Sequence, residues 1–181
     1  NNLPVIEYDI NNNIIWEEPN SHFSHHEMIQ LPNGNYMSII EETQLGPIPN
    51  DLDNSLSLLF QFLGFQADGF TPEFPWVGDK LIEWDQDGNV IWEWSTFDHF
   101  NMIDYDRIGG TWNAAYGLGR FDWTHANAFW FSEEENAIYL SSRHLSRITK
   151  IDYTTGEIIW NLGLGMPSGE VDCGYDLGFS F

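Results

Sequence analysis

The side chains best suited to chemistry in this chain are imidazoles. His22, His25, His26, His99 and His125 fall at or near the starts of hairpin-like apolar segments, and His144 follows Ser141-Ser142-Arg143 at the end of another. A single histidine in such a place is more often structural than functional. The same residue type at matching positions of two repeats, His25-His26-Glu27 and His125-Ala126-Asn127, points instead to a polar cluster built by repetition. Arg143 is one of only six cations. Near a strand end and flanked by Ser, its guanidinium could fork onto an oxyanion through two parallel hydrogen bonds; an ion pair with one of the abundant carboxylates is the other reading. No metal site is expected among the histidines. His25 and His26 are adjacent, and side chains alternate along a strand, so the pair should point to opposite faces.

These residues must be positioned by strands. Three segments share one design: an apolar run, an Asp, a turn, and a second run closing on Ile-Trp. They are Val5-Ile6-Glu7-Tyr8-Asp9 to Ile14-Ile15-Trp16, Leu81-Ile82-Glu83-Trp84-Asp85 to Val90-Ile91-Trp92, and Thr149-Lys150-Ile151-Asp152 to Ile158-Ile159-Trp160. Their turns, Asn11-Asn12-Asn13, Asp87-Gly88-Asn89 and Thr154-Thr155-Gly156-Glu157, are rich in residues that tolerate a left-handed backbone. Interleaved with them are the two His hairpins, turning at Pro32-Asn33-Gly34-Asn35 and at Glu133-Glu134-Glu135-Asn136. A His hairpin followed by a Trp hairpin makes four strands, the blade of a β-propeller, with the closing aromatics packed between blades. The expectation is therefore an all-β fold, a partial β-propeller domain over residues 1–181 holding about two to three blades. Residues 41–79 form a long insertion around the apolar Leu56–Phe65 stretch, and residues 98–121 a second interruption. Segments of this length carry function or local structure of their own, here as a rim over one face.

Composition narrows the partners. With 28 Asp+Glu against 6 Lys+Arg, the formal net charge is −22. No basic cluster is present to displace counterions from phosphates or to meet an anionic membrane surface, so neither nucleic acid nor membrane is expected. The longest apolar stretch is about half of the ~20 residues that span a bilayer. The 13 Phe, 9 Trp and 7 Tyr supply a rigid core. The lone Cys173 excludes an intrachain disulfide, and the Asp-rich loops leave room for a structural calcium.

Several motifs together resemble one family. His25-His26-Glu27 with Leu31-Pro32-Asn33-Gly34-Asn35, then Asp122-Trp123-Thr124-His125-Ala126-Asn127-Ala128, then Leu140-Ser141-Ser142-Arg143-His144 and Lys150-Ile151-Asp152 to Trp160, look like the bacterial-type arylsulfotransferases. The Asp-Trp-Thr-His-Ala-Asn and Ser-Ser-Arg elements, with 18 residues from His125 to Arg143, are the specific part. The resemblance implies a six-bladed propeller exported to the periplasm or cell exterior. It implies sulfuryl transfer from a phenolic sulfate ester to another phenol through a sulfated histidine, without a nucleotide sulfate donor. Carried over, His26 and His125 match two active-site histidines, Asn127 a polar neighbour and Arg143 the sulfate-binding arginine. His25 adjoins the first, and His99, in Phe97-Asp98-His99, also fits a family pattern.

The family's sulfated histidine lies in a Gln-His-Asp element of a later blade, after a segment ending in Phe-Ser. Gly178-Phe179-Ser180-Phe181 is where that element would begin, which puts the nucleophile outside these residues. The segment is then expected either to be part of a longer protein or to be a relative that has lost the chemistry; alone it should be inactive and need its remaining blades from further sequence or another chain. Two rival readings stay open. One is a non-catalytic extracellular propeller serving as a binding or structural module. The other is a quinone-dependent dehydrogenase-like propeller, suggested by Asp152-Tyr153-Thr154-Thr155-Gly156-Glu157 through Trp160; such repeats do not call for His26, His125 and Arg143 in register.

Overall fold

A computed structural model describes residues 4–19, 23–107 and 110–171. His22, Cys173 and the Gly178–Phe181 stretch lie outside the described residues. Among these residues there are eleven strands and three helices. The chain opens with an antiparallel hairpin of β1 (Ile6–Tyr8) and β2 (Ile14–Glu17). A four-stranded meander follows, β3 (His25–Gln30), β4 (Tyr36–Pro47), β5 (Pro72–Trp84) and β6 (Val90–Ser95), interrupted between β4 and β5 by α1 (Asn54–Phe62). After α2 (Thr96–His99), α3 (Thr111–Leu118) and the short β7 (Phe121–Asp122) comes a second meander: β8 (Ala126–Ser132), β9 (Ala137–Ser142), β10 (Arg147–Asp152) and β11 (Ile158–Gly163). Each meander is one His hairpin joined to one Trp hairpin, and β1–β2 is the outer half of another such unit. This is an all-β propeller fold. No helix is long and apolar enough to cross a membrane among the described residues.

Turn chemistry explains why the Trp hairpins share a pattern. Asp9 Oδ1 accepts the amides of Asn11 and Asn13, both at 2.8 Å, and Asp85 Oδ1 accepts those of Asp87 at 2.9 Å and Asn89 at 2.8 Å. Asp152 Oδ1 likewise accepts from Thr154 and Thr155 at 2.9 Å. These side chains satisfy the amides of the turn. The turn bonds, led by Asn13 for Asp9 and Asn89 for Asp85, hold both carboxyls below their ordinary range. The left-handed positions fall at Asn12, Gly88 and Gly156. Part of the acidity is thus turn structure.

Blades meet through the closing aromatics. Trp16 of the first hairpin stacks on Tyr36 of the next sheet with ring centroids 4.1 Å apart, and Trp92 lies 5.4 Å from Tyr153 of the sheet after that. Buried Glu83 bridges the same interface by accepting from Asn33, Asn35 and Tyr153.

The 41–79 segment is largely strand. β4 and β5 run past the blade and stay paired from Glu41↔Asp79 to Pro47↔Pro72, with α1 between their far ends. Pro75 is tolerated there because the other side of β5 has no strand partner until β7 joins it in parallel at Trp76↔Phe121 and Val77↔Asp122. Around this arm sits an aromatic core drawn from both interruptions. Trp112 of α3 stacks on Phe121 at 4.0 Å, while Trp76 contacts Phe121 at 4.7 Å and Trp123 at 5.5 Å. Phe60 of α1 contacts Phe74 at 5.3 Å and Trp112 at 5.9 Å. Such rings combine large apolar burial with edge-to-face attraction. Their effect on the site is direct: Trp123 is fully buried, and its Nε1 donates to Asp104 O at 2.6 Å, which pins the residues on either side of it.

Candidate functional site

Two equivalent strand starts share one backbone device. His26 has φ +63° and His125 φ +46°, the left-handed region that non-glycine residues seldom occupy. Each is followed by a register shift, between His25 and Met28 in the β3–β4 pair and between Ala126 and Ala128 in the β8–β9 pair. A bulge re-aims side chains at the rim of a sheet, and left-handed non-glycine residues concentrate where surrounding structure holds them for function.

The bulge overturns one expectation. His25 and His26 do not point to opposite faces: with His26 in the left-handed region the strand alternation fails, and the two rings meet edge to face at 5.1 Å. His26 in turn lies 5.4 Å from His125, and His125 stacks on His144 at 4.6 Å. Four imidazoles from two blades form one row.

A buried carboxylate that no sequence motif flags holds the row together. Asp79, 4% exposed, accepts Ala126 N at 2.6 Å and the Thr124 hydroxyl, while His25 Nε2 stands 3.1 Å from its other oxygen. That last contact has the separation of an ion pair but not the angle of a hydrogen bond. Asp79 therefore ties the His25 strand start to the His125 strand start across the blade boundary. It reaches that place because Gly78 lets β5 press against the following helix; a Cβ there would meet Thr96 Oγ1 at 2.6 Å. Two more carboxylates help. Glu27 accepts Phe129 N at 2.8 Å, joining β3 to β8, and buried Glu18 accepts Ser24 N at 2.7 Å, fixing the chain just before His25.

The second blade orients its own histidines through Asp122. His125 Nδ1 lies 2.6 Å from Asp122 Oδ2, and His144 Nδ1 lies 2.8 Å from the Asp122 carbonyl oxygen. A carbonyl only accepts, so His144 carries its proton on Nδ1; His125 donates to the carboxylate in the same way. Both rings keep Nε2 free of these bonds. The turn after β9 is clasped to the same stretch, with Arg143 N donating to His125 O at 3.1 Å and His144 N to Thr124 O at 3.2 Å.

The electrostatics single out Arg143. Lys80, Arg107, Arg120, Arg147 and Lys150 each have a carboxylate partner. Arg143 is exposed and, among the described residues, is the one Lys or Arg side chain with no ion pair. In a chain of net charge −22, that leaves a guanidinium beside the imidazole row unneutralised. His26 feels it: partial desolvation first, then His25, His125 and Arg143, hold its pKa below 6.5 against the opposing pull of Asp79. These neighbours favour the neutral ring of His26.

A family model for arylsulfotransferase (ASST) matches residues 66–166, more than half of the chain. The chain belongs to the arylsulfotransferase family. No curated protein matches it. Sulfuryl transfer is the activity of arylsulfotransferases, and the matched region contains His99, His125, Asn127, Arg143 and His144.

Of the residues expected from the arylsulfotransferase motifs, the structure brings His25, His26 and His125 into ring contact and sets Arg143 on the clasped turn beside them. Asn127 is the exposed extra residue of the second bulge. His99 is placed differently. It stacks on Trp94 at 4.5 Å, its Nδ1 is 2.9 Å from Ser95 O, and it makes no ring contact with the four-imidazole row. Sequence reasoning missed Asp79, Asp122 and His144 as parts of the site. For His144 a signal existed, its position one residue after Arg143; for Asp79 none did.

Proposed function

We propose that the protein transfers a sulfuryl group from a phenolic sulfate ester to a second phenol through a sulfohistidine, with no nucleotide donor. The row of imidazoles beside an unpaired guanidinium, in an otherwise strongly anionic chain, is the observation that carries this reading. Arg143 and Asn127 hold the equatorial sulfuryl oxygens, and His26 and His125 stabilise charge on the transferring group and the leaving phenolate. Fixed donors of this kind act without reorganisation as charge develops. His25 supports the row from behind.

In the first displacement the aryl O–S bond breaks, phenolate leaves, and an N–S bond forms to a histidine outside these residues. In the second, that N–S bond breaks, the acceptor phenol's oxygen takes the sulfuryl group, and its proton passes to a neighbouring imidazole. Two displacements of this type give ping-pong kinetics. The same family membership supports a periplasmic or extracellular location, small aryl sulfates and phenols as the partners rather than nucleic acid or membrane, and further blades that complete the propeller.

The test, made on the protein with its remaining blades, is release of 4-nitrophenol from its sulfate ester with phenol present. Arg143→Lys should lower kcat/KM by roughly 10²-fold, because an ammonium cannot reproduce the two-toothed fork. Turnover within about threefold of the parent would remove Arg143 from the site and the reading with it.

A further inference from the structure

We propose that Asp122, His125 and His144 form a binding site for a first-row divalent transition-metal ion of the zinc class. Among the described residues this is the one group of three or more His, Cys, Asp or Glu side chains whose ligand atoms converge, all within 4.8 Å of one another. The inference goes beyond sulfuryl transfer and does not depend on it.

The geometry of the three side chains is close to what a metal requires. The His125 and His144 rings are inclined by only 28°, and both turn Nδ1 toward Asp122. Asp122 Oδ2 stands 2.6 Å from His125 Nδ1 and 3.9 Å from His144 Nδ1. Tetrahedral zinc with metal–ligand bonds of about 2.0–2.2 Å sets its ligand atoms roughly 3.3 Å apart. The two separations straddle that value; reaching it takes a swing of the carboxylate toward His144 and a turn of the His144 ring off the Asp122 carbonyl oxygen, which its Nδ1 meets at 2.8 Å. Asp122 is 42% exposed on its side chain and has the space to turn.

The backbone needs no rearrangement. β7 fixes Asp122 against β5, the left-handed turn fixes His125, and the bond from His144 N to Thr124 O fixes His144. The ligand set chooses the ion. Two imidazoles and one carboxylate suit zinc, nickel or copper, whereas calcium and magnesium ask for six or more oxygens. Three protein ligands leave one position open to water or a small anion, and the net charge of −22 draws divalent cations to the surface.

Binding has a proton balance of its own. In its neutral form each ring carries its hydrogen on Nδ1, the atom that would ligate. That hydrogen moves to Nε2 as the metal takes Nδ1, and no proton is released. Both Nε2 atoms then carry the hydrogen. Occupancy therefore carries a signature separate from affinity.

The experiment titrates the protein with zinc chloride by calorimetry and follows ring nitrogens by 15N NMR, with no sulfate ester present. One zinc should bind per chain, with two histidine rings switching from the Nδ1–H to the Nε2–H form. Asp122→Asn and His144→Gln should each weaken binding at least tenfold while keeping the parent's tryptophan fluorescence; His99→Ala should change nothing. If His144→Gln fails to fold, Asp122→Asn decides. Absence of saturable zinc binding, or parent-like affinity in the folded variants, would overturn the site. Neither result bears on the Arg143→Lys assay, so the two readings fail separately.

Discussion

Removing the Asp79 carboxylate should uncouple the two blades at the site. In Asp79→Ala the Ala126 amide and the Thr124 hydroxyl lose their acceptor, and both residues are fully buried, so water cannot replace it. An unsatisfied buried donor costs about 1–3 kcal/mol, which gives roughly 4 kcal/mol for the two. For a chain of this length each kcal/mol is about 2–4 °C in Tm, so a fall of roughly 8–16 °C is expected. Asp79→Asn is the informative control. Its amide oxygen can take the place of Oδ2 and keep both bonds, losing only the interaction with His25, so its cost should stay near 1 kcal/mol. Urea unfolding followed by circular dichroism measures both. A change under about 1 kcal/mol in Asp79→Ala, or equal losses in the two variants, would refute the role given to this carboxylate.

Three further outcomes follow from particular contacts. His26 is held below its ordinary pKa of 6.5, so the unfolded chain binds more protons as pH falls; its contribution is intact above 6.5 and lost below. NMR titration should find the His26 ring titrating below that value, and a midpoint at or above 6.5 would contradict the neighbour effects described. His99→Phe keeps the stack on Trp94 and loses the bond to Ser95 O, so it should cost about 1 kcal/mol and leave aryl sulfate binding unchanged, as read by calorimetry. Arg147→Met strands the fully buried Asp104, which then keeps, among the described residues, only Ser168 as a donor partner to its carboxylate; a loss of about 3–5 kcal/mol in urea unfolding is expected.

The hairpins were legible because their signals are local. Asp9, Asp85 and Asp152 begin turns through their own side chains, and Asn12, Gly88 and Gly156 supply the left-handed residue, so each unit is written within about ten positions. The repeated histidines and the spacing to Arg143 were legible for the same reason. What could not be read is long-range. Nothing in Gly78-Asp79-Lys80 announces that Asp79 will accept from residues 45 and 47 positions later. The positive φ at His26 has no glycine to mark it, so alternation along a strand gave the wrong side for one ring. The arm formed by β4 and β5 was hidden by Pro72 and Pro75, which read as loop until β7 shows which edge of the strand is free.

The most direct test of the central claim is a crystal structure of the protein with phenyl sulfate bound. The sulfuryl oxygens should lie within hydrogen-bond reach of the Arg143 guanidinium and of the His26 and His125 rings, with Asn127 at the rim. Phenyl sulfate seated elsewhere, with Arg143 extended into solvent, would contradict it.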